Sequence, residues 1–268
     1  MSNIIRLEEI DSTNKYAIEN FDSLSDRMLI TADSQTAGRG RRQKNWFSPS
    51  GTNLYASFLI KEPKFNVSIS SWVGGLAALN TVKDIFSTSN GGRCAVIAGQ
   101  KTVLTEQNPP QRGELWIKWP NDIYCRDRKL AGVLCETVSD SQNHPRGVVI
   151  GVGINVNMTK EQLSSIDKPA TSLLAENGIQ VSIETVGDLL LDKMNYFTDI
   201  AQKSEEELYR LWKTDNKIVG RKVTVDILGR DPICGKVVDI KSCGSLYLMD
   251  EKSEFHTLYS GDVSVKSF

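Results

Sequence analysis

Apolar positions along the chain recur with two different periods, and the changes between them mark the elements. "IIRLEEI" (4–10) predicts a first strand. "DSTNKYAIENF" follows, with Ser12 or Thr13 placed to cap a helix whose Tyr16, Ala17 and Phe21 face inward. "MLITAD" (28–33) predicts a second strand, and "NLYASFLI" (53–60), alternating by side, a third. Residues 67–86 carry helical spacing, and the Gly74–Gly75 pair lets a neighbour pack close. "LWIKWPNDIYC", "KLAGVLCETV" and "GVVIGVGINVN" read as consecutive strands, the last apolar enough to be central in a sheet. A helical stretch covers 183–213.

From residue 219 the pattern changes. Short alternating runs ("KVTVDIL", "GKVVDI", "SLYLM", "FHTLY", "DVSVKSF") are punctuated by Gly229, Gly235, Gly244 and Gly261. They predict a separate all-β barrel of about fifty residues. Residues 89–113 are rich in Gly, Asn, Gln and Pro, and a loop of that length is uncommon inside a compact domain. It reads as an insertion, disordered or lid-like. The expected organisation is α+β: a larger unit over 1–216 and a small β unit over 217–268.

Charge changes the picture only locally. With 32 basic and 33 acidic residues among 268, the net charge of -1 gives no general attraction to nucleic acid or anionic membranes. The five cysteines (Cys94, Cys125, Cys135, Cys234, Cys243) lack CxxC spacing, against a zinc site, and their odd number argues against a disulfide framework. No apolar run reaches the roughly eighteen residues of a membrane span. Glu8, Glu9, Asp11 and Glu19 near the start are unlike a signal or transit peptide. A cytoplasmic location is expected.

Against that neutral background, "TAGRGRRQKNW" (36–46) concentrates Arg39, Arg41, Arg42 and Lys44. Most charge clusters are solvated loops. Here Gly38 and Gly40 alternate with arginine, so backbone N–H groups can face a ligand beside the guanidinium forks. Arginine's fork suits phosphate and carboxylate oxygens, and Trp46 and Phe47 can close over a bound group. Gly38-x-Gly40-x-x-Gln43 lacks the third glycine of a dinucleotide fingerprint. The stretch 229–236 is one residue too long for a P-loop, and Val237 replaces its Ser/Thr. Ser12-x-x-Lys15 lacks the companions of an acyl-serine site. His144 and His256 are far from partners in sequence, which weakens triad and metal readings.

"KWPNDIYCRDRKLAG" (118–132) supports two readings that spacing alone leaves equal. One is structural: a turn at Trp119–Asp122, a hairpin tip at Asp127–Arg128, and Lys129 simply opening the next strand. In the other, the hairpin brings Asp122 and Lys129 together beside a cleft. There they could orient an amine and neutralise a developing negative charge.

"DSTN", "QTAGRGRRQKNWFSPSGTNLYASFLI", "KWPNDIYCRDRKLAGVLCET" and "VVIGVGINVN", in this order, resemble the catalytic domain of biotin protein ligases (holocarboxylase synthetases). The tail is similar to the SH3-like barrel that ends those proteins, so the resemblance spans nearly the whole chain. It implies a class II synthetase-like mixed sheet packed with helices, and a two-step reaction. The biotin carboxylate attacks the α-phosphate of MgATP, giving biotinyl-5′-AMP and pyrophosphate. A lysine on the biotin-carrier domain of a carboxylase then attacks the mixed anhydride. No protein nucleophile is required, and Mg²⁺ is held through the ATP phosphates without assigned protein ligands.

Carried over by residue, the resemblance implies that Ser12, Thr13, Asn14 and Gln35 line the biotin end. Arg39, Gly40 and Arg41 hold the carboxylate and α-phosphate, and Lys129 contacts the reacting oxygens. Asp122 orients or deprotonates the acceptor lysine. Gly38, Arg39, Arg41, Lys44, Trp46 and Asn155 form the adenylate side. Arg41, Lys129 and Asp122 are the catalytic candidates.

The chain departs from the family pattern at Gln43, where glycine is common, and at Lys44, where arginine is common; 89–113 has no recognised counterpart. A start about ten residues before "DSTN" leads to the expectation of a monofunctional ligase with no N-terminal DNA-binding domain and no DNA partner. Family members include dimers, so a homodimer is possible. The rival enzyme is a lipoate or octanoate ligase. The rival of another class is a nucleic-acid-binding module, against which the net charge speaks.

Overall fold

Residues 3–89 and 114–265 are described in the computed structural model. Seven strands form the main sheet: β1 (Ile4–Ile10), β2 (Leu29–Gln35), β3 (Leu54–Lys61), β4 (Leu115–Lys118), β5 (Asp122–Cys125), β6 (Arg128–Ser139) and β7 (Pro145–Ile154). Their order is β1-β2-β3-β7-β6-β5-β4. β1 runs parallel to β2 and the other neighbours are antiparallel, so the sheet is mixed. β7 lies at the centre, as its apolar run predicts.

The helices cover both faces of this sheet. α1 (Thr13–Glu19) starts at the Ser12 cap. With Phe21 and Leu24 it covers Ile30, Leu59 and Val149 on one face. On the other face, α2 (Ser70–Ser89), α5 (Ile183–Lys203) and α6 (Glu205–Asp215) enclose Leu54, Phe58, Ile60, Ile150 and Val152. Hence β3 alternates as its sequence predicts, yet nearly all of it is buried, because each side meets a helix layer. Short helices α3 (Lys160–Ser164) and α4 (Leu173–Asn177) follow β7.

The helical stretch expected over 183–213 is two helices. Ser204 ends α5 in extended backbone and caps α6, whose first turn carries Glu205, Glu206 and Glu207 beside the positive end of the helix dipole. The insertion expected over 89–113 lies, apart from Ser89, outside the described residues. Among the described residues no helix is long and apolar enough to cross a membrane.

The final five strands are β8 (Lys222–Asp226), β9 (Ile233–Ile240), β10 (Leu246–Asp250), β11 (Phe255–Leu258) and β12 (Asp262–Val265). All neighbours pair antiparallel in the order β11-β10-β9-β8-β12. Among the described residues no ladder joins the two edge strands, so the closure of the expected barrel is not seen and the five strands pair as an open antiparallel sheet. It is not isolated. Val223, Val225, Val237, Ile240 and Leu248 belong to the same apolar cluster as Trp72, Trp119 and Trp212. Trp119 Nε1 donates to Gly244 O at 2.8 Å, and Tyr209 OH donates to Ile240 O at 2.6 Å.

The two glycines of α2 face different surroundings. A Cβ at Gly74 would lie 2.7 Å from both Ile150 Cγ2 and Val133 Cγ1, whereas at Gly75 the nearest atom is Ile117 Cδ1 at 3.7 Å. Alanine gains about 1 kcal/mol of helix propensity over glycine, while overpacking a core costs about 1–3 kcal/mol. Gly74→Ala should therefore destabilise the protein by up to about 2 kcal/mol, and Gly75→Ala should stabilise it slightly. Urea unfolding midpoints with unchanged slopes would check the opposite signs.

Candidate active site

Period-two geometry makes the floor of a cleft. On β7, Val148, Ile150, Val152 and Ile154 join the helix-covered core, which turns Gly151 and Gly153 to the opposite face. There Gly153 pairs with Tyr55 of β3 and Gly132 of β6, and Gly151 pairs with Ser57 and Leu134. This glycine-rich row keeps the floor low enough for side chains to lie across it. A Cβ at Gly151 would fall 2.3 Å from Asn14 Oδ1, and one at Gly153 would fall 2.5 Å from Trp46 Cε2. Above this floor is a cleft of about 680 Å³.

One end of the cleft is built from hydroxyls and amides. Ser12 caps α1 and places Thr13 and Asn14 in its first turn. Thr13 N donates to Gln35 Oε1 at 2.9 Å, and Gln35 Nε2 donates to Ser48 Oγ at 3.1 Å. Ser57 Oγ lies 2.8 Å from Thr13 Oγ1 and 2.5 Å from Asn14 Oδ1. Asn14 Nδ2 donates to Glu136 Oε2 at 2.7 Å.

The basic loop is shaped by its own backbone. Trp46 N donates to Gly38 O and Gly40 N to Lys44 O, at 2.9 and 2.6 Å, around a tight turn at Arg41–Gln43 in which Arg42 takes left-handed backbone with φ 54°. Gly38 packs against Ser48 and the Trp46 carbonyl, where a Cβ would meet atoms at 2.6 and 2.7 Å. It shapes the loop and does not line the cleft. Arg39 reaches Glu136 at 3.0 Å. Arg41 donates to Asn121 Oδ1 at 2.9 Å and to Gly261 O at 3.1 Å. Burial pulls the pKa of its guanidinium down, an effect that Asp122 and Asp262 oppose. Lys44 is paired with Asp262 of the second sheet, and Arg42 donates to Asp226 O at 3.0 Å.

The facing wall comes from β4, β5 and β6. After the cis Trp119–Pro120 bond, Asp122 opens β5 directly opposite Lys118. Asp122 Oδ1 and Lys129 Nζ are 2.7 Å apart, so the hairpin joins them as the second reading of that stretch requires. Lys129 Nζ also lies 5.2 Å from the centre of the Trp46 ring. Asn155 is buried, and its Nδ2 donates to Thr171 O at 2.9 Å. Trp46 Nε1 is buried without a hydrogen-bond partner among the described residues.

Ser12, Thr13, Asn14, Gln35, Arg39, Gly40, Arg41, Lys44, Trp46, Asp122, Lys129 and Asn155 therefore line one cleft. Sequence reasoning missed others. Lys118 is only 7% exposed and donates to Tyr124 OH at 3.0 Å. Desolvation lowers its pKa and pushes the Tyr124 phenol up to about 12. A buried ammonium aimed at a cleft is costly unless it meets an anion. Its place in "KWPND" was a usable signal, and so was the alternation of glycine in "GVGIN". Lys168 and Asp262 gave none. Outside the cleft, Asp250, Glu254 and His256 on the β10–β11 hairpin could together hold an ion.

Residues 7–155 match the family model described as the biotin/lipoate A/B protein ligase family. The chain is 28% identical over 265 residues to the bifunctional ligase/repressor BirA of Escherichia coli, covering 97% of this chain and 73% of that protein. It is 30% identical over 187 residues to the biotin–[acetyl-CoA-carboxylase] ligase of Paracoccus denitrificans, covering 69% of this chain and 68% of the other. Among solved structures, the biotin protein ligase of Aquifex aeolicus in complex with biotin and ATP superposes with a TM-score of 0.74 at 26% identity, covering 99% of each chain. The glycine-floored cleft thus lies in a chain that belongs to the biotin/lipoate A/B protein ligase family.

Proposed function

We propose that the protein is a biotin–protein ligase. It adenylates biotin with MgATP and passes it to a lysine on the biotin-carrier domain of a carboxylase. The observation that carries this reading is the convergence of Arg41, Lys118, Lys129 and Asp122 over one floor, beside a closed end of hydroxyls and amides. The first step drives a carboxylate against a polyphosphate. Two unit charges about 4 Å apart repel by roughly 4 kcal/mol at an effective dielectric near 20. Arg41 and Lys129 offset that repulsion and stabilise charge on the oxygens of the reacting phosphoryl group. Asp122 and Asp262 already hold ammonium groups, so in this reading Mg²⁺ enters with the nucleotide phosphates.

In this reading Asp122 accepts the proton of the acceptor amine in the second step, while Lys129 holds the carbonyl oxygen and AMP departs as the amide bond forms. Cysteine chemistry is not needed: burial pushes Cys125 and Cys135 up to about 12, leaving thiols and not thiolates at neutral pH. Trp46 and the basic loop shield the anhydride from water. In the division at 216/217, the second unit is an SH3-like barrel left open between β11 and β12. Its Gly261 carbonyl and Asp262 carboxylate steady the loop from outside.

The closed end favours biotin over lipoate or octanoate. A ureido ring offers both donors and an acceptor to Ser12, Thr13, Asn14 and Gln35. A dithiolane or alkyl chain offers neither and would bury those groups against apolar atoms. Sites built to hydrogen-bond a ligand reject an analogue lacking those groups by about 10⁴-fold or more.

Exchange of labelled pyrophosphate into ATP should depend on biotin, with lipoate and octanoate weaker by about that factor; exchange driven by lipoate would overturn the substrate. Arg41→Ala and Lys129→Ala should each slow exchange about 100-fold, near 3 kcal/mol of transition-state stabilisation. Rates near wild type would remove them from the chemistry.

Asp122→Asn should act on the other half-reaction. Transfer from preformed biotinyl-adenylate to the carrier domain should fall about 100-fold in single turnover, with exchange affected far less. An equal loss in both steps would make Asp122 a structural partner of Lys129.

Lys118→Met separates stability from activity. With the folded-state pKa below that of a free lysine, the unfolded chain binds more protons in the interval between them. Stability therefore rises with pH across that interval. Burial disfavours the charged form of Lys118, and an apolar side chain of similar length removes that desolvation cost, so the variant should melt at or above the wild-type temperature, lose this pH slope and adenylate more slowly. A lower melting temperature with undiminished exchange would show that the ammonium serves the fold.

A further inference from the structure

Two ammonium groups from distant parts of the chain meet one carboxylate oxygen at the edge of the cleft. Lys168, from the segment between α3 and α4, lies 3.0 Å from Asp262 Oδ2, and Lys44 of the basic loop bonds the same oxygen. The lysine side chains remain 59% and 55% exposed, while that of Asp262 is 29% exposed. Each ammonium has three N–H donors and spends one here, so donors remain toward the cleft that all three residues line. The charges do not balance, since two cations face one anion. The excess lies beside Arg41, which bonds the carbonyl of Gly261, the residue before Asp262.

We infer that Lys44 and Lys168 form the seat for the terminal phosphates of the nucleotide, the part that leaves as pyrophosphate, and that the Asp262 carboxylate competes for that seat. This inference rests on the ligase reading above. The α-phosphate is assigned to Arg41, so the remaining phosphates must lie along the same cleft, and this adjoining pair of ammonium groups suits a polyanion better than a single carboxylate does. Although burial alone would raise it, hydrogen bonds from Lys44 and Lys168 hold the Asp262 carboxyl well below the usual carboxylate range. A proton therefore does not free the lysines at working pH; a stronger anion does. The exchange also has a use after the chemistry: by retaking the two ammonium groups, Asp262 lowers the affinity for pyrophosphate and eases its departure.

The test uses the full chain and inorganic pyrophosphate, titrated calorimetrically, together with the KM for ATP in biotin-dependent exchange. Lys168→Ala should weaken pyrophosphate binding and raise the KM for ATP about tenfold, the scale of one hydrogen bond to a charged group at a half-exposed site. Lys168→Arg should restore both. Asp262→Asn, or Asp262→Ser if the first does not fold, should tighten pyrophosphate binding about threefold, the scale of an exposed ion pair. The opposite signs separate a seat with a competitor from a merely structural bridge, whose loss from either side would weaken binding. Unchanged constants in Lys168→Ala, or weaker binding in the Asp262 variants, would overturn the inference. Absence of biotin-dependent exchange in the wild type would instead count against the ligase reading, and the pyrophosphate titration reports on the seat independently.

Discussion

A slip of β7 by one residue against its neighbours would turn Gly151 and Gly153 into the helix-covered core and Ile150 and Val152 into the cleft. The register therefore decides whether the protein has a site at all. It is held from both sides. The branched side chains of β7 pack under α2, whose Gly74 admits Ile150 and Val133 at close range. On the other face, Asn14 and Trp46 fill the room the glycines leave. The same alternation that builds the core thus also builds the floor.

Electrostatics supplies the second constraint. A cleft that gathers Arg39, Arg41, Arg42, Lys44, Lys118, Lys129 and Lys168 would repel itself if these groups stood free. Most are tied to acceptors within the chain: Arg39 to Glu136, Lys129 to Asp122, Lys44 and Lys168 to Asp262, Arg41 and Arg42 to carbonyls of the second sheet. Lys118 differs, buried with a phenol oxygen as its hydrogen-bond partner and its charged form disfavoured. The cost of keeping it there is consistent with a role toward an anionic ligand. The second sheet also acquires a purpose beyond its own fold, because it supplies acceptors that hold the basic loop in place.

Much of the fold was legible because its signals are local. Ser12 caps α1 from one residue away, β1 starts and ends where its apolar run does, and the Gly-punctuated tail gives its five strands in order. The misses are equally physical. Ser204 divides one expected helix because a cap and three acidic residues outweigh continuous amphipathic spacing. The tail's sheet stays open because pairing between its edge strands depends on curvature, which alternation does not encode.

The sequence by itself determined most of the strands, the Ser12 cap and the list of groups with chemistry to offer. All of these depend on periods and contacts spanning a few residues. Only the tertiary structure decided which groups meet. Arg39 and Glu136 are 97 positions apart, Lys44 and Asp262 are 218, and Arg41 and Gly261 are 220. Pairings at such separations carry no local period. They follow from strand register and from the docking of the second sheet, and folding settles both through the burial of the shared apolar core.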